Sequence, residues 1–180
     1  MIYLDLDETL IHSLPGQPGL ESGKRTEVTV GIKENGKPDT YHTQKRQHAD
    51  LIITRCKELA PVAMLTTATK AYAIEMDRIF NLGFGQNIIA NEDYLMDVQI
   101  AYGWDTLVTA VNIDKAGILI DNNPVTAKHA MLKIKALGIP KEHYYQIREY
   151  EGGKDPIKFE TELEAMFMDI QTKLPPIPTI

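Results

Sequence analysis

Asp5 and Asp7 stand two residues apart, directly after the short apolar run Met1-Ile2-Tyr3-Leu4. Two carboxylates at that spacing can face one small site. A carboxylate attacks phosphorus once a cation neutralises the phosphate charge. A second carboxylic acid within reach can protonate the departing oxygen. Mg²⁺ suits such a place, because it takes oxygen ligands and keeps waters and substrate phosphate in its shell. Taken alone, an acidic pair after a strand reads more readily as a turn or a helix cap. Two further polar groups raise the reading above that. Thr66-Thr67 follow the apolar run Pro61–Leu65, and Asp121-Asn122 follow Gly117–Ile120.

These residues need elements to carry them. The runs that end at Asp5, Thr67 and Asp121 are short and rich in β-formers, as buried strands are. Asn87–Ala90 is a further strand, and Tyr144–Ile147 an edge strand. Leu51, Ile52, Cys56 and Leu59 fall on one face of a helix over 49–59. Other helices are predicted over 70–82, stopped at Gly83, over 125–137, closed by Gly138 and Pro140, and over 161–173. Pro175, Pro176 and Pro178 keep the tail non-helical. Residues 14–45 differ. Pro15, Gly16, Pro18 and Gly19 mark a loop, 27–32 alternates at period two, and Asn35-Gly36 is a hairpin turn signal. This segment is read as a β-hairpin insertion. Strands alternating with helices predict an α/β three-layer sandwich on a mainly parallel sheet, with the site at the carboxyl ends of the strands. The length suits one domain over 1–180. The stretch 101–112 carries no clear pattern.

Composition narrows the function classes. The formal net charge is −6, which is not the field of a general nucleic-acid binder. The single cysteine, Cys56, cannot form an internal disulfide. The sequence shows no leader pattern and no apolar run long enough to span a bilayer. A cytoplasmic location and no membrane partner are the expectations.

The motif Asp5-Leu6-Asp7-Glu8-Thr9-Leu10-Ile11-His12-Ser13 resembles the first motif of the haloacid-dehalogenase superfamily. More closely, it resembles the branch that contains the RNA polymerase II C-terminal-domain phosphatases, the NLI-interacting-factor-like proteins. Lys45–Asp50 is similar to the K-R-P-x-x-D segment of that branch. Leu65–Ala73 is similar to its second motif, and Ile118–Pro124 to its fourth, D-N-S-P. The matches run in family order over residues 1 to about 125.

The resemblance implies a magnesium-dependent phosphatase with a HAD-like Rossmannoid fold. Asp5 is the implied nucleophile and becomes a phospho-aspartate. Asp7 is the acid for the leaving group and then the base for water. Thr9 supports the turn and is counted with Ala68 at the substrate. Thr67 gives its hydroxyl to the phosphate. Mg²⁺ is assigned to Asp5, the Asp7 carbonyl and Asp121, with Asn122 orienting the bound water or the acid. Arg46 is expected near the substrate.

One part of the pattern is missing. The family's third motif is a lysine some fifteen residues before the fourth, and no lysine occurs from Gly83 to Asp114. Trp104-Asp105 occupy about that place and are guessed substrate contacts. Lys115 begins its strand, roughly 20 Å from the carboxyl end at about 3.3 Å per residue. Lys70, three residues after Thr67, is the expected substitute, with Arg46 as another candidate. His12 is expected to pack near the loop after the first strand. Lys24-Arg25 are read as a solvated loop, and Gly152-Gly153 as a turn.

The sequence thus points to hydrolysis of a phosphomonoester at an open site. Phosphoserine or phosphothreonine in a protein is the first expectation. A nucleotide or polynucleotide 3′-phosphate is the rival. A catalytically weakened module that only binds a phosphorylated partner is a third reading, supported by the absent lysine.

Overall fold

The computed structural model describes residues 1–16, 25–94, 114 and 116–174. Trp104, Asp105, Lys24 and Lys115 lie outside them.

Five strands form a parallel sheet: β1 (Ile2–Leu4), β5 (Val62–Leu65), β6 (Ile88–Ile89), β7 (Ile118–Asp121) and β8 (Tyr144–Gln146), in the order β6-β5-β1-β7-β8. Every pairing in it is parallel. Side chains alternate across a strand, so β1 divides the core. Ile2 and Leu4 pack on one face with Ile52 and Cys56 of α1 (Ala49–Leu59), Met76 of α2 (Lys70–Phe80), and Phe159 and Phe167 of α5 (Phe159–Lys173). Tyr3 packs on the other face with Ala130, Ile134 and Leu137 of α4 (Lys128–Leu137). Helices therefore cover both faces, as the three-layer expectation requires.

β1 sits between β5 and β7. The chain leaves β1 toward one side of the sheet and returns through β7 on the other. Open α/β sheets leave a crevice at the carboxyl ends where the direction reverses. Asp5, Thr67 and Asp121 all lie at that edge.

Element boundaries shift slightly. α2 ends at Phe80 because Asn81 takes a left-handed conformation, φ 50°, an option open to asparagine. α4 begins at Lys128, not Val125, because Pro124 opens a turn that Ala127 N–H closes.

The insertion is larger than a hairpin. β2 (Ile11–Pro15), β3 (Thr26–Ile32) and β4 (Pro38–Lys45) form an antiparallel sheet in the order β2-β4-β3. The insertion thus starts at Ile11, and His12 and Ser13 belong to a strand.

Arg46 directly follows β4 and is fully buried. Its Nε and Nη2 grip Asp155 at 2.7–3.0 Å, its Nη1 donates to the Thr9 carbonyl at 2.9 Å, and its guanidinium lies 4.1 Å from the Phe159 ring centre. The expectation that Arg46 contacts substrate is corrected here: the guanidinium is enclosed by Asp155, Thr9 and Phe159. It ties the start of α5 to the loop after β1. Removing one partner of a buried ion pair leaves an uncompensated charge and costs about 3–5 kcal/mol. Arg46→Ala is expected to lose stability in that range by urea denaturation, and Arg46→Ala with Asp155→Ala to lose less than the single change.

Candidate active site

The loop after β1 places both acids. Asp5 N–H donates to Ile120 O at 3.0 Å, which locks the loop to β7. Leu10 and Ile11 amides return to Leu6 O, and Glu8 N–H donates to Ile11 O, making a tight turn. Glu8 adopts φ 57°. A left-handed backbone costs a residue with a side chain roughly 1–2 kcal/mol. Tyr150 N–H, donating to Glu8 O at 2.7 Å, helps hold it there. Strain of this kind persists where surrounding bonds over-determine the backbone.

Asp5 is buried and its Oδ1 accepts from Lys133 Nζ at 2.7 Å. The same ammonium donates to Asp121 Oδ2 at 2.5 Å. Lys133 lies on α4, twelve residues after Asp121, and its side chain is almost completely buried. The other Asp121 oxygen accepts from the backbone and side-chain nitrogens of Asn123, each at 2.8 Å. A cavity of about 290 Å³ opens over Asp5, Lys133 and Asn123, lined also by Asp7, Thr67 and Asn122. Glu8 and Glu149 stand on its wall.

Lys133 fills the position for which the sequence offers no upstream lysine. The expectation that Lys70 substitutes is corrected: its Nζ is held by both Asp93 oxygens at 2.8–3.0 Å, and it does not line the cavity. A signal for Lys133 exists in the sequence. Ala130, Lys133, Ile134 and Leu137 share one helical face, and a lysine in an otherwise apolar stripe needs a buried partner.

Thr67 lines this cavity and the adjoining one of about 410 Å³. Thr9 does not reach either. It is fully buried, and its hydroxyl lies 3.3 Å from Asp5 Oδ2 and 3.4 Å from Asn122 Oδ1. It braces these two from behind, which corrects its placement at the substrate. Ala68 lines the second cavity, but its N–H is already given to Thr66 Oγ1. His12 sits on β2 with Nδ1 at 3.7 Å from Glu8 Oε1. Arg25 Nη1 donates to the carbonyls of His12 and His42 and is no solvated loop residue.

The electrostatics favour a cation. Burial pushes the Asp5 carboxyl up to about 7; Lys133 opposes this, while Asp121 and Asp7 reinforce it. Burial acts most strongly on Asp121 too, yet Lys133 and Asn123 outweigh it and hold that carboxyl below its ordinary value. Burial also raises Asp7. Glu8 is pushed up to about 7 by burial and by its acidic neighbours. One ammonium thus bridges two buried aspartates, Asp5 and Asp121, with the part-buried Asp7 beside them. The oxygens that could hold an ion here would be the carboxylates of Asp5 and Asp121, the amide of Asn122 and the backbone carbonyl of Asp7. That set fits a hard divalent ion such as Mg²⁺.

The switch-point edge thus brings Asp5, Asp7, Thr67 and Asp121, from the sheet and its loops, together with Lys133 from α4. The fold is similar to that of fission yeast RNA polymerase II CTD phosphatase Fcp1-R271A bound to beryllium fluoride, with TM-score 0.58 and 15% identity, over 96% of this chain and 51% of that one. A second structure of Fcp1, an essential RNA polymerase II CTD phosphatase, gives TM-score 0.53 and 16% identity, over 96% and 50%. The chain belongs to the NLI interacting factor-like phosphatase family, whose model matches residues 1–166. A curated relative, nuclear envelope morphology protein 1 of Schizosaccharomyces pombe, is 28% identical over 129 residues, 69% of this chain and 26% of that protein. The chain spans about a quarter of that relative. No helix among the described residues is long and apolar enough to cross a membrane.

Proposed function

We propose that this phosphatase is magnesium-dependent, works through a phospho-aspartate at Asp5, and acts on phosphoserine or phosphothreonine in protein substrates. The observation that carries the reading is the bridge from Lys133 to both Asp5 and Asp121 beneath an open cavity.

In this reading Asp5 attacks phosphorus. Lys133 holds Asp5 in place and balances the negative charge that attack brings to the site. Thr67, at the cavity wall, donates its hydroxyl to a phosphoryl oxygen. Asp7 gives its proton to the leaving oxygen as the ester bond breaks, then takes a proton from the water that cleaves the acyl phosphate. Asp5, Asp121, Asn122 and the Asp7 carbonyl would hold Mg²⁺. When bound, the ion supplies charge neutralisation for the nucleophile and the phosphoryl group.

Two features support a protein substrate. The second cavity shares Asp7, Glu8 and Thr67 with the first and continues past Tyr41 and Tyr72, which seats groups flanking the phosphate. Glu149 on the wall repels a polyanion such as an oligonucleotide. Lys133 also removes the reason for a module that binds without turnover.

A substrate panel with Mg²⁺ tests this. Phosphopeptides should show the highest kcat/KM, about tenfold or more above nucleotides and 3′-phosphorylated oligonucleotides, and a chelator should abolish turnover. Preference for the oligonucleotide would overturn the substrate assignment. Hydrolysis of nothing in the panel would overturn the activity.

A further inference from the structure

The Asp7 carboxylate is held by a group outside the motif that carries it. Tyr72, on the first turns of α2, brings its hydroxyl within 2.6 Å of Asp7 Oδ1. The same hydroxyl lies 2.7 Å from Ser13 Oγ on β2, and Ser13 Oγ lies 2.8 Å from Thr43 Oγ1 on β4. The Tyr72 ring is buried and meets the Tyr41 ring edge-on, centroids 5.0 Å apart.

A tyrosine hydroxyl has one proton. Facing a carboxylate, it gives that proton to Asp7 Oδ1 and accepts from Ser13, which in turn accepts from Thr43. The chain of donors runs from the inserted sheet to the acid in one direction. It fixes the torsion of the Asp7 side chain and distinguishes its two oxygens.

We propose that Tyr72 is the positioning residue for the general acid: by capping Asp7 Oδ1 it leaves Oδ2 as the oxygen that delivers the proton, and the Ser13–Thr43 pair sets the direction of that cap. This rests on the phospho-aspartate reading above. The step it serves balances as follows. A bond forms between an Asp5 oxygen and phosphorus, the phosphorus–ester oxygen bond breaks, and the proton on Asp7 Oδ2 passes to the departing oxygen. The charge left on Asp7 is met by the Tyr72 hydroxyl already in place. Burial and the Asp7 charge keep that phenol protonated throughout the working range.

Leaving-group dependence separates this role from packing. An alkyl phosphate needs its leaving oxygen protonated, whereas a p-nitrophenyl phosphate departs as a stable anion. In Tyr72→Phe, which keeps the ring, kcat/KM for a phosphoserine peptide should fall about 30-fold or more, a large part of the roughly 10²–10⁴-fold that a general acid contributes. The fall for p-nitrophenyl phosphate should be under about threefold, with KM for either substrate changed by less than about threefold. Ser13→Ala should show the same asymmetry at smaller size. Equal losses on both substrates, or a loss confined to KM, would overturn the role of Tyr72 alone. An unmodified protein inactive on both substrates would instead overturn the hydrolytic reading, and this role with it. Circular dichroism and urea midpoints of both variants accompany the kinetics; since the two changes affect different elements, a folding defect in one leaves the other to decide.

Discussion

Asp5→Asn should hydrolyse phosphomonoesters about 10⁴-fold or more slowly than the unmodified protein, in keeping with the loss of an enzymatic nucleophile. The amide has nearly the same shape as the carboxylate but cannot attack phosphorus to form an acyl phosphate. The fold should not suffer. Lys133 keeps Asp121 as its partner, and one of the two buried carboxylates it bridges is gone. The pH dependence follows from the sign of the Asp5 shift. Its folded value is about 7, above the roughly 3.9 of an unfolded chain. The metal-free protein therefore loses stability as pH rises from about 4 through about 7, where the folded state must give up a proton it holds more tightly. Asp5→Asn lacks that loss. Thermal unfolding in chelator should show the variant matching or exceeding the parent at pH 8, with the gap closing toward pH 4. A variant that unfolds well below the parent at pH 8 would mean the charges are balanced in another way.

Lys133→Met should lower kcat about 10²–10³-fold, the usual effect of deleting one preorganised charge-stabilising donor. It should also weaken the fold, because Asp5 and Asp121 then face each other buried without their cation. A broken buried ion pair costs about 3–5 kcal/mol, measurable by urea denaturation in chelator. Mg²⁺ should recover part of the stability and little of the rate. Combining Lys133→Met with Asp5→Asn should destabilise less than the sum of the two changes, since groups in direct contact are not additive. Activity within about tenfold of the parent in Lys133→Met would show that another group balances the nucleophile.

The strand ends were legible because buried parallel strands are short continuous apolar runs, and a polar residue closing such a run has nowhere to point but the sheet edge. Asp5, Thr67 and Asp121 follow such runs. Lys133 escapes this pattern, because the family pattern directs attention upstream of Asp121 and the lysine arrives from the helix downstream. Its position in the apolar stripe of α4 was the available clue. The places of Arg46 and Lys70 are illegible for another reason. Their acidic partners, Asp155 and Asp93, lie 109 and 23 residues further on, and no local pattern pairs a basic residue with a carboxylate at such separations. The third strand of the insertion is illegible in the sequence because Leu14-Pro15-Gly16 reads as a turn, while its pairing is set by β4, some thirty residues later.

Rapid acid quench after mixing the enzyme with a fast aryl phosphate, followed by mass spectrometry of the amino-terminal peptide, observes the nucleophile itself. One phosphoryl group on the side chain of Asp5, lost on alkaline treatment and absent from Asp5→Asn, is the predicted result. Turnover in which phosphate is released while that peptide never carries the added mass, or carries it on another residue, would contradict the account.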